Sequence, residues 1–313
     1  MKTKTISTPI GINLYSESFG NPSNPALLLI AGAMSPARFW IDPFCQQLAD
    51  AGYFVIRYDH RDTGLSSAVD YEKKPYKLND LASDAIAVLD AYGITSAHII
   101  GHSLGSLITQ LLALDYPSRV ASITLIASGV LVPDPEKTDQ EKAILEKTWQ
   151  VMWNKEPKPT KNYAQSIDGF LKSFEFQHGT IPMDKNITRQ FVKDMYERTL
   201  PEHMALYEPS SSGVEKMHNH FRALLKKGTM MQDVADRTQD LKKIKIPVLV
   251  IHGEKDNLLF PRIAKKYCAD LIPGAKMCVI PGMGHMVLNK DLFTHIGSLI
   301  VKHIHERRIN HAE

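Results

Sequence analysis

Short apolar runs recur along this chain, separated by amphipathic stretches, and that alternation limits the fold more than any other feature. Residues 26–30 (Ala-Leu-Leu-Leu-Ile) lead to Gly32, 53–58 to Asp59, 97–100 to Gly101, and 121–126 to Ser128-Gly129. Runs this apolar on both faces read as strands of a parallel sheet with covered faces. Between them, residues 39–51, 78–92 and 104–116 carry apolar side chains at helical spacing, the last stretch being stopped by Pro117. Strands alternating with helices predict the α/β class. An N-terminal hairpin over 3–19, turning near Pro9-Ile10-Gly11, and later strands at 246–251 and 277–280 bring the expected sheet to eight mostly parallel strands. Residues 292–304 predict a closing helix.

The pattern breaks at Val132-Pro133-Asp134-Pro135 and resumes near residue 239. The intervening segment is charged, helical in spacing, and holds Trp149 and Trp153. It is too long for a plain connection. The reading is a core of residues 1–132 and 239–313 with a helical cap inserted over 133–238.

Composition removes several classes of function. Thirty-seven basic and 34 acidic residues leave a net charge of +3, too balanced for a nucleic-acid partner. The longest apolar stretch is residues 26–34, about half of the ~18 residues a membrane span needs. No apolar segment follows the basic N-terminus, so the chain reads as cytoplasmic and soluble, a monomer or homodimer. Cys45, Cys268 and Cys278 are too far apart for a zinc knuckle and read as free thiols. The pairs His218/His220 and His303/His305 lie in polar stretches with no third ligand in view. No cofactor or metal is expected.

The sharpest motif is Gly101-His102-Ser103-Leu104-Gly105, a G-x-S-x-G sequence between an expected strand and an expected helix. A serine on so tight a turn needs small residues two before and two after it, where strand and helix approach closely. The helix start also directs free N–H groups toward a carbonyl attacked by that serine. Serine needs a base oriented by a third group. His285, in the loop Pro281-Gly282-Met283-Gly284-His285-Met286 after the last expected strand, is the candidate base. His98, His102 and His252 lie in or beside strands and read as residues of packing and local hydrogen bonds. Asp256, just after the strand at 246–251, is the first choice for the orienting acid, with Glu254 and Asp134 as competitors. Leu104 N–H and an N–H from the loop 31–34, with Ala33 preferred, are the candidate oxyanion donors.

The chain resembles α/β-hydrolase fold enzymes over essentially its whole length. The stretch Arg57-Tyr58-Asp59-His60-Arg61-Asp62-Thr63-Gly64-Leu65-Ser66 is similar to the D-x-R-G-x-G-x-S loop of that fold, and most of all to the aclacinomycin methylesterase group. Asp62 stands where the wider fold has Gly, and Ala31 where many relatives have His. Asp59 and Arg61 read as braces of this loop. The resemblance implies that Ser103, Asp256 and His285 take the triad positions, that the substrate is an ester, and that a helical cap covers it. The expected function is hydrolysis of a methyl or other small-alcohol ester of a medium-sized, largely apolar molecule through an acyl-enzyme. Met34, Met286 and Trp153 are the expected lining residues. The same triad also serves lactonases, thioesterases, carbon–carbon bond hydrolases and iminopeptidases, and a ligand-sensing receptor with a vestigial triad is the alternative of another class.

Overall fold

The computed structural model describes residues 1–69, 73–129, 131, 137–153, 163–197 and 236–309. Eight strands form one sheet: β1 (Lys2–Ser7), β2 (Asn13–Phe19), β3 (Ala26–Ile30), β4 (Phe54–Tyr58), β5 (Ala97–His102), β6 (Val120–Ile126), β7 (Val248–Gly253) and β8 (Lys276–Ile280). Their order is β1-β2-β4-β3-β5-β6-β7-β8. The pairs β1–β2 and β2–β4 are antiparallel, and every pair from β4 onward is parallel. The expected α/β architecture and its mostly parallel eight-stranded sheet are therefore present.

Every residue of β3 and β4 is buried. For Ala26-Leu27-Leu28-Leu29-Ile30 this needs only apolar side chains, whereas β4 also buries Arg57. Arg57 Nε donates to Glu17 Oε2 at 2.7 Å, and its guanidinium also meets Asp42. A buried cation is tolerated only when paired in this way.

Helices cover both faces: α1 (Asp42–Asp50), α2 (Leu78–Ala91), α3 (Leu104–Asp115), α4 (Asp139–Trp153), α5 (Tyr163–Gln177), α6 (Lys185–Glu197) and the closing α7 (Lys290–Ile309). On one face Leu28, Ile30 and Ile99 pack with Leu81 and Val88 of α2 and Leu107 and Ile108 of α3. On the other, Leu27, Leu29 and Ile100 pack with Phe44 and Leu48 of α1 and Phe293, Ile296 and Ile300 of α7.

Two helices differ from the sequence expectation. The helix expected from residue 39 begins at Asp42, and Ala37–Phe39 form a separate turn. Pro43 has no N–H and fits the first turn of α1, so the helix starts there. The closing helix runs from 290 to 309 rather than 292 to 304. Asn289 Oδ1 caps it by accepting from Leu292 N at 2.9 Å. Its last turn, beyond Ile304, has no apolar spacing from which to read it. Among the described residues no helix is long and apolar enough to cross a membrane.

Candidate active site

The site is built at the carboxyl ends of four parallel strands, β3, β5, β7 and β8, with β6 lying between β5 and β7. Ser103 sits between β5 and α3 with φ 52° and ψ −116°, a left-handed conformation rare for a residue with a side chain. Ser103 N donates to Ile126 O at 3.0 Å, and Ser106 donates to Ser103 O from its amide (2.9 Å) and its hydroxyl (2.6 Å). A Cβ on Gly101 would stand 2.2 Å from Gly105 O, and one on Gly105 would stand 2.2 Å from Ile30 O. Both glycines of the motif are thus required by the close packing of turn, helix and strand.

His285, in the loop after β8, brings Nε2 to 3.0 Å from Ser103 Oγ. Its Nδ1 lies 2.9 Å from Asp256 Oδ2, in the loop after β7. Facing a carboxylate, Nδ1 carries the ring hydrogen, which leaves Nε2 as the acceptor toward the serine hydroxyl. Asp256 is buried, and Leu258 N and Leu259 N donate to its Oδ1 at 2.9 and 2.8 Å. Burial alone would raise the pKa of this carboxyl, but the interactions with His285 and His252 outweigh it and hold it well below the usual carboxylate range. Of the competing acids, Glu254 points elsewhere and accepts from Gly282 N at 3.0 Å. Asp134 lies outside the described residues, as do His218 and His220.

His252, read from sequence as a residue of packing and local hydrogen bonds, makes its local bonds within this site. Its Nε2 lies 3.2 Å from Asp256 Oδ2 and 2.6 Å from Leu259 O. The signal available was its place at a strand end, four residues before the aspartate. His102 also faces inward: its Nε2 donates to His285 O at 2.9 Å, and its ring lies against Phe39 with centroids 4.6 Å apart. Burial pushes the His102 imidazole down to about 3, so it stays neutral.

A second feature absent from the sequence reading is the turn after α5. His285 N and Met286 N both donate to Gln177 O, at 2.7 and 3.1 Å, and Gly284 N donates to His178 O at 2.9 Å. Thr180 N returns a bond to Gly282 O at 2.8 Å. Asn257 Nδ2 donates to Phe176 O at 3.3 Å. The loops carrying His285 and Asp256 are therefore held from outside the sheet by the last residues of α5 and the turn that follows it.

The loop 31–34 runs beside the serine, since a Cβ on Gly32 would lie 3.3 Å from Ser103 Cβ. His60 Nε2 donates to Ala31 O at 3.1 Å, which anchors the start of this loop. Ala33 follows Gly32 there, and Leu104 opens α3, where the first amides have no carbonyl within their own helix. Met34 has φ 60° and is half-buried, and Met286 is buried. The side chain of Trp153 lies outside the described residues. Asp59 accepts from Ala37 N (2.6 Å) and Leu65 N (2.9 Å), and Arg61 makes a two-pronged pair with Asp84 at 2.7 Å for each bond. Asp62 has φ 64°, a conformation natural to glycine, and its carboxylate accepts from Val69 N at 2.6 Å and Tyr76 Oη at 2.9 Å. Those two bonds account for an aspartate where the wider fold has Gly. No group of three or more His, Cys, Asp or Glu side chains suited to a metal ion occurs among the described residues.

Comparison with known proteins agrees with this fold. A family model described as the alpha/beta hydrolase fold matches residues 25–291. The rhodomycin D methylesterase DauP of Streptomyces sp. (strain C5) is 34% identical over 297 residues, covering 91% of this chain and 92% of that protein. The rhodomycin D methylesterase DnrP of Streptomyces peucetius is 32% identical over 292 residues, covering 88% and 89%. Among solved structures, the 2-hydroxy-6-oxo-6-phenylhexa-2,4-dienoate hydrolase of Rhodococcus sp. strain RHA1 superposes with a TM-score of 0.73 at 18% identity, covering 97% of this chain and all of that one. The chain belongs to the alpha/beta hydrolase fold family.

Proposed function

We propose that this protein is a serine hydrolase that cleaves a carboxylic ester through an acyl-enzyme on Ser103. One observation carries the reading: a single imidazole, His285, stands 3.0 Å from the Ser103 hydroxyl on one side and 2.9 Å from a buried aspartate on the other. Ser103 Oγ attacks the ester carbonyl while its proton passes to His285 Nε2. Asp256 holds the ring in that tautomer and stabilises the imidazolium that forms. The N–H groups of Ala33 and Leu104 receive the oxyanion. The tetrahedral intermediate collapses, the C–O bond to the alcohol breaks, and His285 returns its proton to the leaving alkoxide. A water molecule, deprotonated by His285, then releases the acid and restores the serine.

The likeness to two methylesterases supports a methyl or other small-alcohol ester as the substrate class. We read 133–238 as a cap over the site, with 1–132 and 239–313 as the core. Phe191 of α6 lies 5.8 Å from Phe39, the ring that covers His102, which supports that placement. Met34, Met286 and Trp153 are the proposed lining of a pocket for a medium-sized, largely apolar acid portion.

The test is labelling with a fluorophosphonate and turnover of a panel of p-nitrophenyl and methyl esters. Labelling of the native enzyme at Ser103, lost in Ser103→Ala together with turnover, is the expected result. Ester turnover retained by a folded Ser103→Ala variant overturns the reading.

A further inference from the structure

We propose that His252 is a positioning residue, a second imidazole that holds Asp256 in place for His285. The inference rests on the proposed serine-hydrolase reading. His252 is the penultimate residue of β7, and its side chain is fully buried. Its Nε2 is 2.6 Å from Leu259 O, an acceptor only, so this nitrogen carries the ring hydrogen. The same nitrogen is 3.2 Å from Asp256 Oδ2, and the one hydrogen is shared between the two oxygens. Among the described residues Nδ1 has no hydrogen-bond partner, so the ring is held through Nε2.

The arrangement fills the carboxylate. Leu258 N and Leu259 N donate to Oδ1, and His285 and His252 donate to Oδ2. That is about the full capacity of a carboxylate, roughly four lone-pair directions. The two imidazoles approach Oδ2 from different elements, His252 from β7 and His285 from the loop after β8. The other titratable group facing this pair is His102 of β5, whose ring centroid is 5.2 Å from that of His285. His252 therefore fixes the rotation of the Asp256 carboxylate, ties it to the backbone of residue 259, and draws off part of its negative charge. Each effect acts on His285 and not on the substrate.

The test compares His252→Phe, which keeps a ring and loses the donor, with His252→Gln, whose side-chain N–H reaches about as far. Ester turnover is followed from pH 5 to 9, and active serine is counted by fluorophosphonate titration. For His252→Phe, kcat is expected to fall about tenfold, the weight of one buried hydrogen bond to a charged group, with KM within about twofold. The acid limb of kcat/KM is expected to move to higher pH, because an imidazolium beside a less neutralised carboxylate gives up its proton less readily. His252→Gln is expected to recover most of both losses. If His252→Phe does not fold, His252→Gln alone decides: wild-type kcat and pH limb support the inference, and a folded variant with strongly reduced kcat opposes it. A folded His252→Phe enzyme with kcat and acid limb unchanged, or with equal losses in both variants and an unmoved limb, overturns the proposal. Loss of turnover in Ser103→Ala with an unaffected His252→Phe defeats this inference alone. Retained turnover in Ser103→Ala defeats the hydrolase reading beneath it.

Discussion

A Cβ on Gly284 would stand 2.1 Å from the carbonyl oxygen of Gln177 and 2.5 Å from Gly179 N. Both atoms are backbone and cannot swing aside. The same carbonyl accepts from His285 N at 2.7 Å, so Gly284 is where the base-bearing loop presses against the turn after α5. Gly284→Ala is expected to destabilise the protein by about 1–3 kcal/mol, the usual cost of overpacking. Esterase activity should fall further than stability does, because His285 follows directly. Gly169→Ala is the control: that glycine sits in α5 with open space around it. It should be neutral or stabilising by up to about 1 kcal/mol. Chemical denaturation and ester turnover on both variants check the contrast, and equal stability for the two would refute it.

Two buried histidines predict how stability depends on pH. Burial pushes His60 down to about 4 and His102 down to about 3, against an ordinary value of 6.5. The unfolded chain therefore binds protons below pH 6.5 that the folded chain does not, and stability is lost as pH falls through that range. The slope is about 1.4 kcal/mol per pH unit for each histidine. Asp256 adds a separate loss at lower pH. Its folded carboxyl is depressed, so its contribution is present above the unfolded value near pH 4 and disappears below it. Urea midpoints at pH 7, 6 and 5 should fall in order, and the fall between 6 and 5 should shrink in His60→Gln. A flat profile over this range would contradict the assignment of neutral, dry imidazoles.

Much of this site was legible because its parts obey strong local rules. The nucleophile turn announces itself through Gly101 and Gly105, whose missing side chains are a steric requirement. Asp256 and His285 follow from strand ends in a parallel sheet, where loops after neighbouring strands converge. The strand centres were readable for the same reason: β3 is apolar on both faces. The packing and local hydrogen bonds expected of His252 are present, but its partner Asp256 could not be read, because a histidine at a strand end has the same local pattern whichever group it bonds. Only the i to i+4 path from His252 to Asp256 in three dimensions separates the two. The clamp of Gln177 on the His285 loop was not legible at all. It consists of backbone bonds between segments about a hundred residues apart, and backbone groups leave no mark on residue type.

The pair Arg61–Asp84 fastens the loop that follows β4 to α2. Both nitrogens of the fork bond at 2.7 Å, both side chains are almost fully buried, and the guanidinium lies 5.0 Å from the Tyr76 ring centroid. Asp84→Ala leaves a buried cation without its partner and is expected to cost about 3–5 kcal/mol. Replacing both, as Arg61→Met with Asp84→Leu, removes the uncompensated charge and should recover more than half of that loss. Thermal melts of the single and double variants decide it. A double variant less stable than Asp84→Ala would mean that the pair does more than neutralise itself.

Asp256→Asn keeps the shape of the side chain and changes its hydrogen-bonding sense. The native carboxylate only accepts: two amides on Oδ1, two imidazoles on Oδ2. An asparagine has one oxygen and one NH2. With its NH2 toward Leu258 N and Leu259 N, donors face donors that cannot change, and the side chain is forced to rotate. With its NH2 toward the imidazoles, His285 relieves the conflict by moving its ring hydrogen to Nε2, where it faces Ser103 Oγ. The base then has no lone pair for the serine proton. Turnover is expected to fall about 10⁴-fold, the loss found when the equivalent change traps the wrong tautomer elsewhere. KM should change little, since Asp256 is buried beneath His285. Activity should recover partly at high pH, as hydroxide takes over part of the base's work. The measurement is kcat from pH 6 to 10 on a variant shown to be folded by its melting curve. A loss of less than about tenfold would mean that a group other than Asp256 orients the ring.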